Sequence, residues 1–171
     1  LATNTQSDSK SLNIIGTDGN DTFNISWALV SGTTSKPYVL VLEGGRGLDE
    51  YKLIATYTDT DVTKYVAIKG IKKLDKITLG TAVTDNEIKK ISTYLDNETS
   101  LKNAVNKVLN AADASATANT TYAFMYKNDT YLIQDANGGQ DDITTNDSLI
   151  KLAGYHIDNL NPYVSGTEIT I

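Results

Sequence analysis

Two stretches of this chain share a pattern that few folds can use: Gly16-Thr17-Asp18-Gly19-Asn20-Asp21-Thr22-Phe23 and Gly44-Gly45-Arg46-Gly47-Leu48-Asp49-Glu50-Tyr51. In each, glycines permit the positive φ angles of a tight turn, so carbonyls can point inward. An aspartate then adds a carboxylate, and an aromatic residue two places later starts an apolar strand. Ile14-Ile15 precedes the first turn and Val39-Leu40-Val41-Leu42 the second, so both read as strand-turn-strand. A strand-like run from Phe23 to Val30, a turn at Ser31 to Pro37 and a strand from Tyr38 bring the second turn back beside the first. A single Gly/Asp turn is an ordinary connection between strands. The repetition selects a shared cation, because two facing turns supply enough oxygens for calcium. The candidate ligands are Asp18, Asn20, Asp21 and Asp49, the backbone carbonyls of Gly16 and Arg46, and the second turn at Gly44.

Composition narrows the rest. Hydrophobic residues make up 40% of the 171 and charged ones 21%, the balance of a chain that folds. The formal net charge of −6 repels phosphate backbones, so nucleic acid is not an expected partner. No apolar run is long enough for a membrane-spanning helix. The absence of cysteine removes disulfides, thiolate nucleophiles and cysteine zinc sites, leaving core packing and oxygen-bound cations as the stabilising devices. The start at Leu1, with no signal-like apolar segment, reads as a fragment or processed product, and residues 1–12 as linker.

The stretch Ile15-Gly16-Thr17-Asp18-Gly19-Asn20-Asp21-Thr22-Phe23 resembles the repeats-in-toxin (RTX) calcium motif, and Leu42-Glu43-Gly44-Gly45-Arg46-Gly47-Leu48-Asp49 resembles it less closely. Arg46 stands where that family commonly has Asp, so the second turn would give carbonyls and Asp49. The phrase Ile71-Lys72-Lys73-Leu74-Asp75-Lys76-Ile77-Thr78-Leu79 resembles the strand that closes the roll in such proteins. Val108-Leu109-Asn110-Ala111-Ala112-Asp113, Asp129-Thr130-Tyr131-Leu132, Asp147-Ser148-Leu149-Ile150-Lys151-Leu152-Ala153-Gly154 and the tail Gly166 to Ile171 are similar to the C-terminal segment of one-step-secreted S-layer and RTX surface proteins of Gram-negative bacteria. The resemblance implies a type I secretion apparatus as partner, a secreted or cell-surface location, and calcium-driven folding after export.

Along the chain, Val62 to Leu79 alternates loosely and predicts two or three short strands. Thr84-Asp85-Asn86-Glu87 has the form of a capping box, followed by Ile88, Ile91 and Leu95 at helical spacing. A second helix is expected from Ser100 to about Ala114. Tyr122 to Tyr126, a turn at Lys127-Asn128, and Thr130 to Ile133 predict a β-hairpin. The loop Asp135 to Asp142 is rich in oxygen, and Asp135, Asn137 and Asp141 form a weaker candidate cation site. It departs from an EF-hand in its glycine position and in Asn146, where a bidentate Glu belongs. The expected fold is therefore mainly β. It comprises a short parallel β-roll or sandwich with calcium turns over 13–83, an inserted helical hairpin over 84–116, and a C-terminal β-hairpin subdomain over 121–171, together as one compact unit.

Catalysis is not expected. His156 is the single histidine, which rules out multi-histidine metal sites, and no nucleophile elbow or phosphate-binding glycine loop is present. Asp141-Asp142 would point to opposite faces of a strand, and Asp59 with Asp61 lies in a Thr-rich loop. The expected function is a non-catalytic, calcium-stabilised C-terminal module serving export, extracellular folding and surface self-assembly. Two alternatives are a glycan- or ligand-binding adhesin domain built on Trp27 and the tyrosines, and the detached C-terminal half of an RTX protease or lipase. Asn20 also satisfies an acidic-residue-extended glycosylation sequon, which a calcium-filled turn would shield.

Overall fold

Alternation of apolar and polar residues in the first half of the chain produces short strands that bury one face each. A computed structural model describes residues 10–26, 38–54, 58–84, 87–111, 117–139 and 142–171. Its first six strands are β1 (Lys10–Ile15), β2 (Thr22–Ser26), β3 (Tyr38–Glu43), β4 (Glu50–Ile54), β5 (Lys64–Lys69) and β6 (Lys76–Leu79). The odd-numbered strands pair parallel as β1-β3-β5, and the even-numbered ones pair parallel as β2-β4-β6. Ile15 lies beside Glu43, which lies beside Lys69; Thr22 lies beside Glu50, which lies beside Lys76. Three turns of equal length, 16–21, 44–49 and 70–75, are thereby stacked in register.

The two ladders face one another across a shared core. Leu40, Leu42, Val66 and Ile68 from one side meet Phe23, Ile25, Tyr51, Leu53, Ile77 and Leu79 from the other. Phe23 and Tyr51, register neighbours, stack with ring centroids 5.2 Å apart. Burying each large apolar side chain contributes roughly 1.5–3 kcal/mol, so the turns are anchored on a rigid base.

The remaining elements extend both sheets. They are β7 (Ile88–Tyr94), α1 (Leu101–Ala111), β8 (Thr120–Tyr126), β9 (Asp129–Asp135), β10 (Ser148–Ala153), β11 (Tyr163–Ser165) and β12 (Glu168–Thr170). β10 pairs parallel with β5 and gives a seven-stranded sheet, β1-β3-β5-β10-β9-β8-β7. β12 pairs antiparallel with β6 and completes a five-stranded sheet, β11-β12-β6-β4-β2. The fold is mainly β, with two mixed sheets. Successive residues of β8 serve opposite faces, as strand geometry requires. Ala123 and Met125 join the core between the sheets, while Tyr122, Phe124 and Tyr126 join a second cluster with Ala104, Val105, Val108 and Leu109 of α1. The hairpin turn expected at Lys127-Asn128 is present, with both residues at positive φ (48° and 65°), the geometry of a type I′ turn.

Two expectations need correction. The helical hairpin over 84–116 is not what forms: Ile88 to Tyr94 is strand β7, parallel to β8, and α1 follows as the one α-helix among the described residues. The ladder between β7 and β8 shifts register between Lys90 and Tyr94. Ile88 joins the core between the sheets, while Ile91 and Leu95 pack into the second cluster on the other side, so a strand feeding two cores spaces its apolar residues as a helix would. Thr84 does not cap a helix; its hydroxyl donates to the Ala118 carbonyl at 2.6 Å. The surviving helix starts at Leu101, where Ser100 Oγ accepts the Asn103 amide at 3.1 Å, and its described part ends at Ala111. Second, the phrase Ile71–Leu79 is not one strand. Residues 70–75 form the third stacked turn, and strand begins only at Lys76. Trp27, the run from 27 to 30, the turn 31–37, Asp85, Asn86, Asp141 and residues 1–9 and 112–116 lie outside the described residues.

Candidate functional site

The stacked turns place three aspartates, Asp21, Asp49 and Asp75, in one column at the mouth of the core. Their hydrogen bonds form a ladder. Asp49 Oδ1 accepts the Asp21 amide at 3.1 Å, and Asp75 Oδ1 accepts the Asp49 amide at 3.0 Å. Backbone continues the same stitching: the Glu50 amide donates to the Asp21 carbonyl and the Lys76 amide to the Asp49 carbonyl, each at 2.8 Å. Asn20 adds a third kind of rung, its Oδ1 accepting the Leu48 amide at 2.9 Å.

The second carboxylate oxygens separate the three residues. Asp21 Oδ2 closes its own turn, accepting from the Thr17 amide at 2.7 Å and the Thr17 hydroxyl at 3.1 Å. Asp75 Oδ2 does likewise with the Lys72 amide at 2.8 Å. Among the described residues nothing donates a hydrogen bond to Asp49 Oδ2, although its side chain is fully buried. It lies against Gly44, where any Cβ would collide with it, and the same glycine borders the Tyr51 hydroxyl, also buried without a hydrogen bond. Burial pushes the Tyr51 phenol well above its ordinary range, and the carboxylates of Asp75 and Asp49 push it further.

Three backbone carbonyl oxygens crowd glycines at the join between the first two turns. Gly45 and Gly47 adopt φ of +88° and +93°. A Cβ on Gly47 would come within 2.5 Å of the Gly19 carbonyl oxygen and 2.9 Å of Asn20 Oδ1; one on Gly45 would strike the Thr17 carbonyl oxygen. At Gly16 the Asp21 carboxylate and the Gly44 carbonyl oxygen each lie 2.7 Å from the Cβ position. Only glycine lets the first two turns approach this closely. The resulting set (Thr17 and Gly19 carbonyls, the Gly44 carbonyl, Asn20 Oδ1 and the Asp21 carboxylate) is all oxygen, the donor chemistry a hard cation requires. Among the described residues no group of three or more His, Cys, Asp or Glu side chains gathers as a metal site, so an ion here would rest largely on backbone oxygens.

The residues expected from sequence fall as follows. Gly16, Asp21, Gly44 and Asp49 border the join between the first two turns, and Asn20 spans it. Asp18 and Arg46 hold the same register place in the first and second turns and are exposed. Lys72 takes that place in the third turn. Its Nζ donates to the Gly45 carbonyl at 2.6 Å and the Gly47 carbonyl at 2.9 Å, and lies 3.6 Å from Asp49 Oδ2. Sequence reasoning missed Lys72 and Asp75. The signal was the spacing Gly70…Asp75, a third copy of Gly16…Asp21 and Gly44…Asp49.

The weaker loop is arranged differently. Asp135 is buried, and its Oδ1 accepts the amides of Asn137 and Gly138 at 3.0 and 2.8 Å. Asp147 accepts from Ala136 and Thr144 amides at 2.8 and 2.6 Å. These carboxylates already shape the loop's backbone. Asp59 is engaged in the same way, by the Thr63 and Lys64 amides and the Thr63 hydroxyl, while Asp61 pairs with Lys102 at 3.0 Å. His156 is exposed, with Nδ1 3.2 Å from the Asp158 carboxylate.

No helix among the described residues is long and apolar enough to cross a membrane. No family model matches the chain, and no curated protein matches it.

Proposed function

We propose that this chain is a calcium-stabilised, non-catalytic β-roll module of a bacterial surface protein exported in one step, folding outside the cell and serving assembly there. The observation that carries the reading is the pair of turns at 16–21 and 44–49. They are stacked in register between two parallel ladders, with glycines where backbone oxygens crowd and an aspartate at the same place in each. A cation between them would draw on the Thr17, Gly19 and Gly44 carbonyls, Asn20 Oδ1 and the Asp21 carboxylate. Calcium would supply positive charge beside the Asp21 carboxylate and the backbone oxygens crowded at this join. At extracellular concentrations, on the order of 10⁻⁴–10⁻³ M, that binding energy becomes folding energy.

Export and surface assembly rest on the resemblance of the sequence to secreted S-layer and RTX proteins.

The test is a calcium titration followed by calorimetry and thermal unfolding. Calcium is expected to bind and raise the melting temperature, and Asp21→Ala to abolish most of the gain while Asp135→Ala leaves it in place. A wild-type protein that melts identically in calcium and in chelator, with no heat of binding, overturns the reading.

A further inference from the structure

The joins between the three stacked turns are not alike. At the first, between 16–21 and 44–49, the second turn brings two glycine Cα atoms against the Thr17 and Gly19 carbonyls. At the second, between 44–49 and 70–75, the third turn has Ile71 and Lys73 where the second has Gly45 and Gly47. The equivalent carbonyls, Gly45 O and Gly47 O, face the Lys72 ammonium instead. The same ammonium lies 3.6 Å from Asp49 Oδ2, the one aspartate oxygen of the column that is fully buried and accepts no hydrogen bond.

We infer that the second join is a cation site built into the fold and filled by the chain's own Lys72. Two carbonyls and a buried carboxylate converge on one point, which is the coordination a small hard cation takes. A buried carboxylate without a hydrogen bond on one oxygen is costly unless a positive charge sits beside it. Lysine fits this role because its ammonium is a compact point charge with three donors on a flexible stem. The Lys72 backbone is fixed where this reach is possible. Its amide donates to Asp75 Oδ2 at 2.8 Å, so the residue is held in the turn below while its side chain extends to the turn above. With this tethered charge in place, a divalent ion is repelled from the second join. The second and third turns therefore stay locked without metal, and only the first join responds to calcium. The folded base of the module is thus independent of ion supply, and ion-dependent ordering is confined to the first turn.

The experiment compares wild type with Lys72→Met, which keeps an apolar stem of similar length and removes the charge. Calorimetry with calcium chloride should give one more bound ion per chain in Lys72→Met than in wild type. In chelator the variant should melt below wild type, and calcium should restore it. The double variant Lys72→Met with Asp49→Asn should lose the extra ion and recover stability in chelator, because the buried charge that called for the cation is gone. An unchanged ion count together with an unchanged melting temperature in chelator overturns the inference. Should Lys72→Met fail to fold in either condition, amine acetylation of the wild-type protein decides. Lys72 should react several-fold more slowly than its exposed neighbour Lys73, and equal rates overturn it. The difference in ion count between the two proteins tests Lys72, whereas the wild-type count tests the calcium reading above, so either can fail alone.

Discussion

Replacing Gly47 with alanine probes the stacking of the turns directly. The new methyl carries two separate costs. At φ of +93° an L-residue is strained by about 1–2 kcal/mol. The Cβ would also sit 2.5 Å from the Gly19 carbonyl oxygen, 2.7 Å from its carbon and 2.9 Å from Asn20 Oδ1. Those are backbone atoms and an amide already committed to the Leu48 N–H, so none can swing away cheaply. Overpacking of this kind costs roughly 1–3 kcal/mol, giving about 2–5 kcal/mol in total. Gly166 is the internal control: its φ is +58° and nothing lies within 4 Å of its Cβ position. Gly166→Ala therefore carries only the strain, about 1–2 kcal/mol. Gly19, whose nearest neighbour would be 3.7 Å away, should tolerate alanine with little change. Urea unfolding in chelator measures all three. With a slope of about 2 kcal/mol per M, Gly47→Ala should lower the midpoint by roughly 1–2.5 M. Equal midpoints for Gly47→Ala and Gly166→Ala would refute the close approach of the first two turns.

Further outcomes follow from the same geometry. Asp75→Ala removes the acceptor for both the Asp49 and Lys72 amides and should destabilise by about 3–6 kcal/mol in urea unfolding, since hydrogen bonds to charged groups contribute about 1.5–3 kcal/mol each. Leu40→Ala, at a fully buried position between the ladders, should cost about 2–5 kcal/mol in the same assay. Burial raises the phenol pKa of Tyr51, Tyr65, Tyr131 and Tyr155 above the ordinary 10.0. The folded state holds these protons more tightly than the unfolded chain. The resulting stability is complete below pH 10 and falls as pH rises through the folded-state values. Absorbance titration should show these tyrosines ionising late, or only on unfolding.

Much of the fold was legible because it rests on local chemistry. The alternation through β3 and β5, the Gly/Asp turns and the Lys127-Asn128 hairpin each carry their own physical cause. Strand β7 was not legible, because it feeds two cores, Ile88 on one face and Ile91 and then Leu95 on the other, which leaves apolar residues at spacings that a helix also uses. The third turn was hidden for a different reason. It keeps the first glycine and the aspartate, Gly70 and Asp75, but replaces the inner glycines with Ile71 and Lys73. A glycine-based calcium pattern therefore passes over it. The physical content is that a lysine at the place of Asp18 and Arg46 carries its own charge to the carbonyls above. The parallel pairing of β10 with β5 joins residues far apart in sequence, and no local pattern announces it.

A high-resolution crystal structure grown in calcium, with anomalous scattering to locate the ion, bears most directly on the stacked turns. Calcium density is expected between the first and second turns, beside Asp21 and the Thr17 and Gly19 carbonyls, with the Lys72 ammonium seated between the second and third. An ion-free first join, or calcium in the second join with Lys72 turned out to solvent, would contradict it.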